Sequence, residues 1–327
     1  VKYTMDKHDT VKIVCLDKET FSSKTNFIRP SCKHDWHEYT HSQSTQILER
    51  SKDADIIITN KVPLKADLLK ECPNLKMIAV AATGYNVIDM EYCKANAVTV
   101  CNTRQYAPHS LPEHSFALIL TLRRQIVAYH RDVINGVWQN HHQFCFHTHT
   151  IRDLAGATLG IIGSGSSGRA VAKLATAFGM RVLFSERKNR SHVREGRVPF
   201  KQILHESDII SLHCPLSDEN KNMIAMDEFK KMQKKPLIIN TARGGLVHEK
   251  DLVDALEQGL ISGAGFDVLT AEPPTDNNPL LQIASKPNVI ITPHIAWASI
   301  EAQNECWRQT ITNIDNYVAG NPTNVIN

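Results

Sequence analysis

The sequence predicts an α/β protein built from parallel sheets, and three observations carry that expectation. Short apolar runs alternate with helix-like stretches along almost the whole chain, the pattern of successive βαβ units. Those runs are apolar at every position, not at every second one, as strands covered on both faces require. The chain has 327 residues, 42% of them apolar; at roughly 150 residues per domain, that is material for about two cores.

Taken in order, the first third predicts strands over 12–17, 55–59, 76–81 and 99–101, with helices over 45–51 and 65–72 between them. One long helix follows over about 111–138, with apolar residues at 116, 119, 120, 126, 127, 133, 134 and 137. The polar, His-rich stretch 139–152 is too irregular for a core element. A second series then predicts strands over 158–162, 181–185, 208–213, 237–240, 263–268 and 289–292, and helices over 168–178, 200–206, 226–232 and 250–258. Six strands with intervening helices equal the count of a Rossmann-type doubly wound dinucleotide-binding domain. An amphipathic helix over about 299–317 ends the chain, and there is no internal repeat.

Composition removes several classes. The 37 basic and 34 acidic residues nearly balance, at a formal net charge of +3. No basic stripe of the kind nucleic-acid binding uses is present. The longest notable apolar stretch, 116–122, is far short of the roughly 20 residues of a membrane span. Val1–Asp6 lacks the apolar core of a signal peptide. None of the eight cysteines forms a C-x-x-C pair, and several sit in apolar runs as small hydrophobes, which fits a reducing cytoplasm.

The first chemical signal is Gly163-Ser164-Gly165-Ser166-Ser167-Gly168, between a predicted strand and a predicted helix. Gly163 permits the tight turn, Gly165 lets the backbone approach a pyrophosphate, and Gly168 lets helix pack on strand. Glu186 ends the next strand, 18 residues after Gly168, where a carboxylate accepts hydrogen bonds from the adenosine ribose. Glu186 would repel a 2′-phosphate, whereas Arg187 and Lys188, if they are more than solvated loop charge, would attract one. NAD is the expected cofactor, with NADP the alternative.

Three more segments sit at predicted strand ends: Asn240-Thr241-Ala242-Arg243-Gly244-Gly245, Phe266-Asp267-Val268 leading to Glu272-Pro273-Pro274, and Thr292-Pro293-His294. Ligands of doubly wound sheets bind outside the carboxyl ends of strands, so Arg243, Glu272 and His294 are expected to converge. A guanidinium grips a carboxylate and its adjacent carbonyl. An imidazolium gives a proton to a carbonyl oxygen as hydride arrives, and a carboxylate on its other nitrogen orients it.

These motifs resemble the D-isomer-specific 2-hydroxyacid dehydrogenases over nearly the whole chain. The resemblance implies that Arg243 binds substrate, His294 is the acid/base and Glu272 its partner. It implies a cofactor site lined by Ser166, Ser167, Glu186, Cys214, Thr241, Ala242, Arg243, Asp267 and the turn from His294 to Trp297. It also implies a flavodoxin-like substrate domain (1–106 and 299–327) into which a dinucleotide-binding domain (107–298) is inserted, and a homodimer supported by the helix from Leu111. After the third strand, the backbone of Thr83-Gly84 would hold the substrate carboxylate, with Thr83 near the nicotinamide.

Within the family, Ala82-Thr83-Gly84-Tyr85-Asn86, Phe144-Cys145, Phe184–Lys188 and His294-Ile295-Ala296-Trp297 look like the glycerate dehydrogenase (hydroxypyruvate reductase) branch. A Trp beside the acid/base His narrows the pocket toward a three-carbon substrate. Pro112 in Leu111-Pro112-Glu113-His114 and the Ser166-Ser167 pair depart from the usual pattern without removing a chemical group. His141, His142, His147 and His149 form the densest His cluster, but no carboxylate or thiolate stands at metal-ligand spacing, so no metal is expected. The expectation is a cytoplasmic NAD(H)-dependent dehydrogenase acting on a small 2-keto or 2-hydroxy acid, with no nucleic-acid or membrane partner. The alternatives are a glyoxylate or other 2-keto acid reductase using NADPH, and a nucleotide-sensing scaffold like the corepressors that resemble this family.

Overall fold

A computed structural model describes residues 10–327, so the Val1–Asp6 stretch lies outside the described residues. The chain divides into two units, one of the described residues up to Ala107 with Ala298–Asn327, the other Pro108–Trp297. No helix among the described residues is long and apolar enough to cross a membrane.

In the first unit the strands are β1 (Val11–Cys15), β2 (His34–Glu38), β3 (Ile56–Thr59), β4 (Met77–Val80) and β5 (Thr99–Cys101). They pair in parallel in the order β2-β1-β3-β4-β5, the flavodoxin-like arrangement. β3 and β4 are buried along their whole length, which explains their unbroken apolar runs. β2 was not expected: His-Asp-Trp-His-Glu has neither an apolar run nor alternation, because it is an edge strand with no fully buried residue. The helix Met90–Ala95 was also not foreseen; Asp89 caps it by accepting the Tyr92 amide at 3.0 Å. The C-terminal helix Ile300–Val318 returns to this unit. Its Trp307 is 1% exposed, lies 5.6 and 5.0 Å from the rings of Phe21 and Phe27, and donates to the Ile28 carbonyl at 2.9 Å.

The second unit holds β6 (Thr158–Ile162), β7 (Arg181–Phe184), β8 (Ile209–Leu212), β9 (Leu237–Asn240), β10 (Gly263–Phe266) and β11 (Val289–Ile291). All pair in parallel, in the order β11-β10-β9-β8-β6-β7. Val198 bridges Ser185 in parallel beyond β7, so the usual third strand of a doubly wound domain is reduced to one residue pair. The chain leaves β6 outward to β7 and returns past it to β8, which places the topological switch point between β6 and β8.

The single helix expected over about 111–138 is two helices, Ser110–Arg124 and Ile126–Ile134. Gln125 breaks them in the left-handed region (φ 54°), and its side-chain amide donates to the Leu122 carbonyl at 2.9 Å. The apolar spacing runs through the break, and a Gln in place of the usual Gly or Asn gives no stop signal. Pro112 lies in the first turn, where no intrahelical N–H is lost.

Candidate active site

The glycine loop joins β6 to the helix Ser166–Ala177 at the switch point. Gly163 has φ 110°, and a Cβ there would lie 2.4 Å from the His213 carbonyl; one at Gly168 would lie 2.1 Å from the Gly163 carbonyl. The turn therefore closes only with glycine at both positions. Around Gly165, by contrast, a Cβ would meet nothing within 4 Å. The helix that follows has no side-chain cap, so no capping side chain competes for its first amides or its dipole. A tight cradle with an uncapped helix N-terminus fits a dinucleotide pyrophosphate.

Glu186 follows β7 and is 2% exposed. The Arg194 guanidinium grips both of its oxygens, one through Nε at 2.7 Å and the other through Nη2. The amides of Arg187 (2.7 Å) and Arg194 (3.2 Å) donate to it as well. The Arg194 fork, ahead of those amides, holds the carboxyl well below the usual carboxylate range. The ribose acceptor expected from sequence is thus already engaged within its own loop.

At the other end of the sheet's carboxyl edge, His294 Nδ1 lies 2.5 Å from Glu272 Oε2, and Glu272 Oε1 accepts the Leu269 amide at 2.9 Å. His294 itself has φ 55°, an uncommon conformation for a residue with a side chain. Asp267, 1% exposed, holds that turn. It accepts the Thr292 hydroxyl at 2.5 Å and the amides of Ile295 and Ala296 at 2.9 Å each. His114 reinforces it, 3.0 Å from Thr292 Oγ1 and 3.5 Å from Asp267. The resemblance implied a cofactor-lining Asp267; here its oxygens hold the segment that aims His294, and half-buried Trp297 closes the same turn.

Arg243 is exposed on the loop after β9. Asn240 shapes this loop, donating to the Arg243 carbonyl at 2.9 Å and accepting the Ala242 amide at 3.1 Å. A Cβ on Gly244 would fall 1.9 Å from the Leu269 carbonyl oxygen. Only glycine lets the Arg243 loop pack on the loop that leads to Glu272. Thr241 is buried, its hydroxyl 2.7 Å from that of Ser115.

The backbone of Cys214 abuts the glycine loop, and burial pushes its thiol up to about 11. His213 beside it is half-buried, with Nε2 2.8 Å from Ser211 Oγ and a buried Nδ1 without a hydrogen-bond partner among the described residues. Burial pushes it down to about 4. Thr83 and Gly84 lie in the first unit just beyond β4; the Thr83 hydroxyl donates to the Thr103 carbonyl at 3.0 Å. His141 and His142 stack on each other, and His149 pairs with Asp132 at 2.9 Å. Among the described residues no three His, Cys, Asp or Glu side chains gather as metal ligands.

Sequence reading missed Arg194, His114, Ser115 and His213. The first acts on a residue eight positions away within a loop, which no motif marks. His114 and Ser115 act through contacts between elements distant in sequence, and His213 stands out only by the burial of its Nδ1.

Comparison with known proteins places this geometry. A family model described as D-isomer specific 2-hydroxyacid dehydrogenase, NAD binding domain, matches residues 116–296. A glycerate dehydrogenase of Methylorubrum extorquens is 46% identical, over 97% of this chain and 99% of its own. A D-lactate dehydrogenase from Aquifex aeolicus, solved with NAD and lactic acid, superimposes with a TM-score of 0.79 at 31% identity, covering 95% of this chain and 96% of that one. An acyclic imino acid reductase solved with NADPH and D-Arg gives a TM-score of 0.81 at 28% identity, covering 97% and 100%.

Proposed function

As the chain belongs to the D-isomer specific 2-hydroxyacid dehydrogenases, we propose that it interconverts hydroxypyruvate and D-glycerate with NAD(H). Its second unit carries the family's NAD-binding domain. The observation that carries the reaction is the His294–Glu272 contact on a turn held by Asp267. When bound, the dinucleotide supplies the hydride. Arg243, on an exposed loop, takes the substrate carboxylate and the neighbouring carbonyl oxygen through its planar fork. His294 delivers the proton to that oxygen from Nε2, since Nδ1 is held by Glu272, and in the oxidative direction it takes the proton back. Glu272 fixes the ring orientation and stabilises the charge that the ring carries. The three-carbon substrate rests on Trp297 beside the acid/base and on the glycerate dehydrogenase relative.

The test is the rate of loss of reduced nicotinamide absorbance with hydroxypyruvate, glyoxylate and pyruvate. Hydroxypyruvate should give the highest kcat/KM. A higher value with glyoxylate or pyruvate would keep the chemistry and remove the pocket argument.

We also propose a homodimer. Ile126, Val127, Ile134, Trp138, Phe144 and Ile151 are all exposed, Phe144 at 86%, and they cluster in sequence just after the Gln125 break. Large exposed apolar side chains concentrated in one segment suit an interface, and the family resemblance makes the partner a second copy. Sedimentation should give a dimer, and Ile134→Glu with Phe144→Glu a monomer; a wild-type monomer would refute the proposal.

A further inference from the structure

The loop after β7 carries a charge arrangement that the proposed reaction does not use. An uncovered carboxylate at this position accepts ribose hydroxyls and repels a 2′-phosphate. Glu186 is not uncovered. Arg194 takes both oxygens, two loop amides donate to them, and Arg197 Nη1 stands 3.7 Å away. With a carboxylate's roughly four acceptor positions engaged, little capacity is left for a diol.

Charge points the same way. Residues 187–201 hold six Lys and Arg against a single acid, Glu195. Arg187 is exposed next to Glu186. Arg197 donates to Ser164 Oγ in the glycine loop at 2.7 Å, so positive charge runs from the pyrophosphate cradle to the end of β7. A cavity of about 650 Å³ opens beside the loop, lined by Arg187, Lys188, Arg190, Lys201 and Lys231. Its acid, Glu228, is paired with Lys188 at 2.9 Å and Lys231 at 3.9 Å.

We infer that Arg194 is a latch on Glu186 that cancels its repulsion and lets the site accept a 2′-phosphorylated dinucleotide, so that NADPH serves alongside NADH. The inference rests on the reading of the second unit as the dinucleotide-binding domain. Arg194 acts as a specificity-determining residue through Glu186. It neutralises the carboxylate by a bidentate fork, and the exposed Arg187 remains to meet the phosphate. Its side chain is 41% exposed while that of Glu186 is 1% exposed, so removing it uncovers a carboxylate without excavating a core.

The experiment is titration of the intact protein with NADH and with NADPH, read by nicotinamide fluorescence, for wild type, Arg194→Met, Glu186→Gln and the double variant. The wild type should bind the two within about tenfold of each other, and Arg194→Met should weaken NADPH by about tenfold while NADH is held or tightened. In the Glu186→Gln background, Arg194→Met should no longer discriminate, because the group it masks is gone. A wild-type preference for NADH above about a hundredfold would overturn the latch, as would an Arg194→Met variant with an unchanged ratio. If Arg194→Met fails to fold, Arg194→Lys, which keeps the charge and loses the fork, should shift the ratio in the same direction by less; a wild-type ratio there overturns the latch equally. Binding of neither dinucleotide would defeat the underlying domain reading, and the latch with it.

Discussion

Asp267→Asn tests whether the His294 turn is held as the structure describes. The carboxylate is 1% exposed and accepts one hydroxyl and two backbone amides at 2.5–2.9 Å. An amide in its place must aim an NH2 at one of those donors, whichever way it is flipped. One buried donor then loses its acceptor at about 1–3 kcal/mol, and two remaining bonds fall from charge-assisted to neutral at about 1 kcal/mol each. The sum, about 3–5 kcal/mol, is enough to release a turn that carries a left-handed His294. At about 1.4 kcal/mol per factor of ten, kcat for hydroxypyruvate should fall by about 10²–10³. The assay is steady-state reduction at saturating dinucleotide, with thermal melting in parallel. A variant within about threefold of wild-type kcat and with an unchanged melting curve would refute the argument.

Three further outcomes are expected. His294→Ala should lose about 10²–10⁴ in kcat and Glu272→Gln about 10², while the double variant should be no worse than His294→Ala, since the two act as one unit; additive losses would separate them. His213, held down to about 4 by burial, stays neutral in the folded protein while the unfolded chain protonates near 6.5, so its stability contribution is complete above about pH 6.5 and falls by about 3 kcal/mol as pH drops toward 4. Urea melts at pH 7 and pH 4.5 should show that loss in wild type and less of it in His213→Gln; equal losses would refute the assignment. Gly244→Ala places a Cβ 1.9 Å from the Leu269 carbonyl, so the Arg243 and Glu272 loops must part; KM for the keto acid should rise, with about 1–3 kcal/mol of stability lost, and a wild-type KM would show that the loops need not pack.

What the sequence made legible follows from what local pattern can encode. β3, β4, β6 and β9 are buried on both faces and write that fact as unbroken apolar runs. The glycine loop and the Arg243, Glu272 and His294 segments were visible because each is a short motif at a strand end. β2 was invisible because an edge strand needs little apolar surface and its pairing is set by the register with β1. The Gln125 break was invisible because apolar spacing continues across it. The occupation of Glu186 by Arg194 was invisible for a different reason: a motif specifies a residue type, not whether its lone pairs are already engaged. The hold of Asp267 on its turn was invisible because the amides it accepts lie 28 and 29 residues downstream.

The return of the C-terminal helix to the first unit has a consequence during synthesis. The strands β1–β5 are complete once residue 101 has left the ribosome, but Trp307 and the rest of Ile300–Val318 come only after Pro108–Trp297 has been made. That interval is 297 − 107 = 190 residues, or about 10–40 s at typical elongation rates of roughly 5–20 residues per second. For that time the aromatic seat of Phe21 and Phe27 waits without its central ring, while the continuous second unit can close on itself as it emerges. The five strands of the first unit are therefore made before the second unit but finished after it, and the aromatic seat of Phe21 and Phe27 is exposed early and covered late. A chaperone that shields apolar surface on unfinished chains would find its longest-lived target at the amino-terminal sheet.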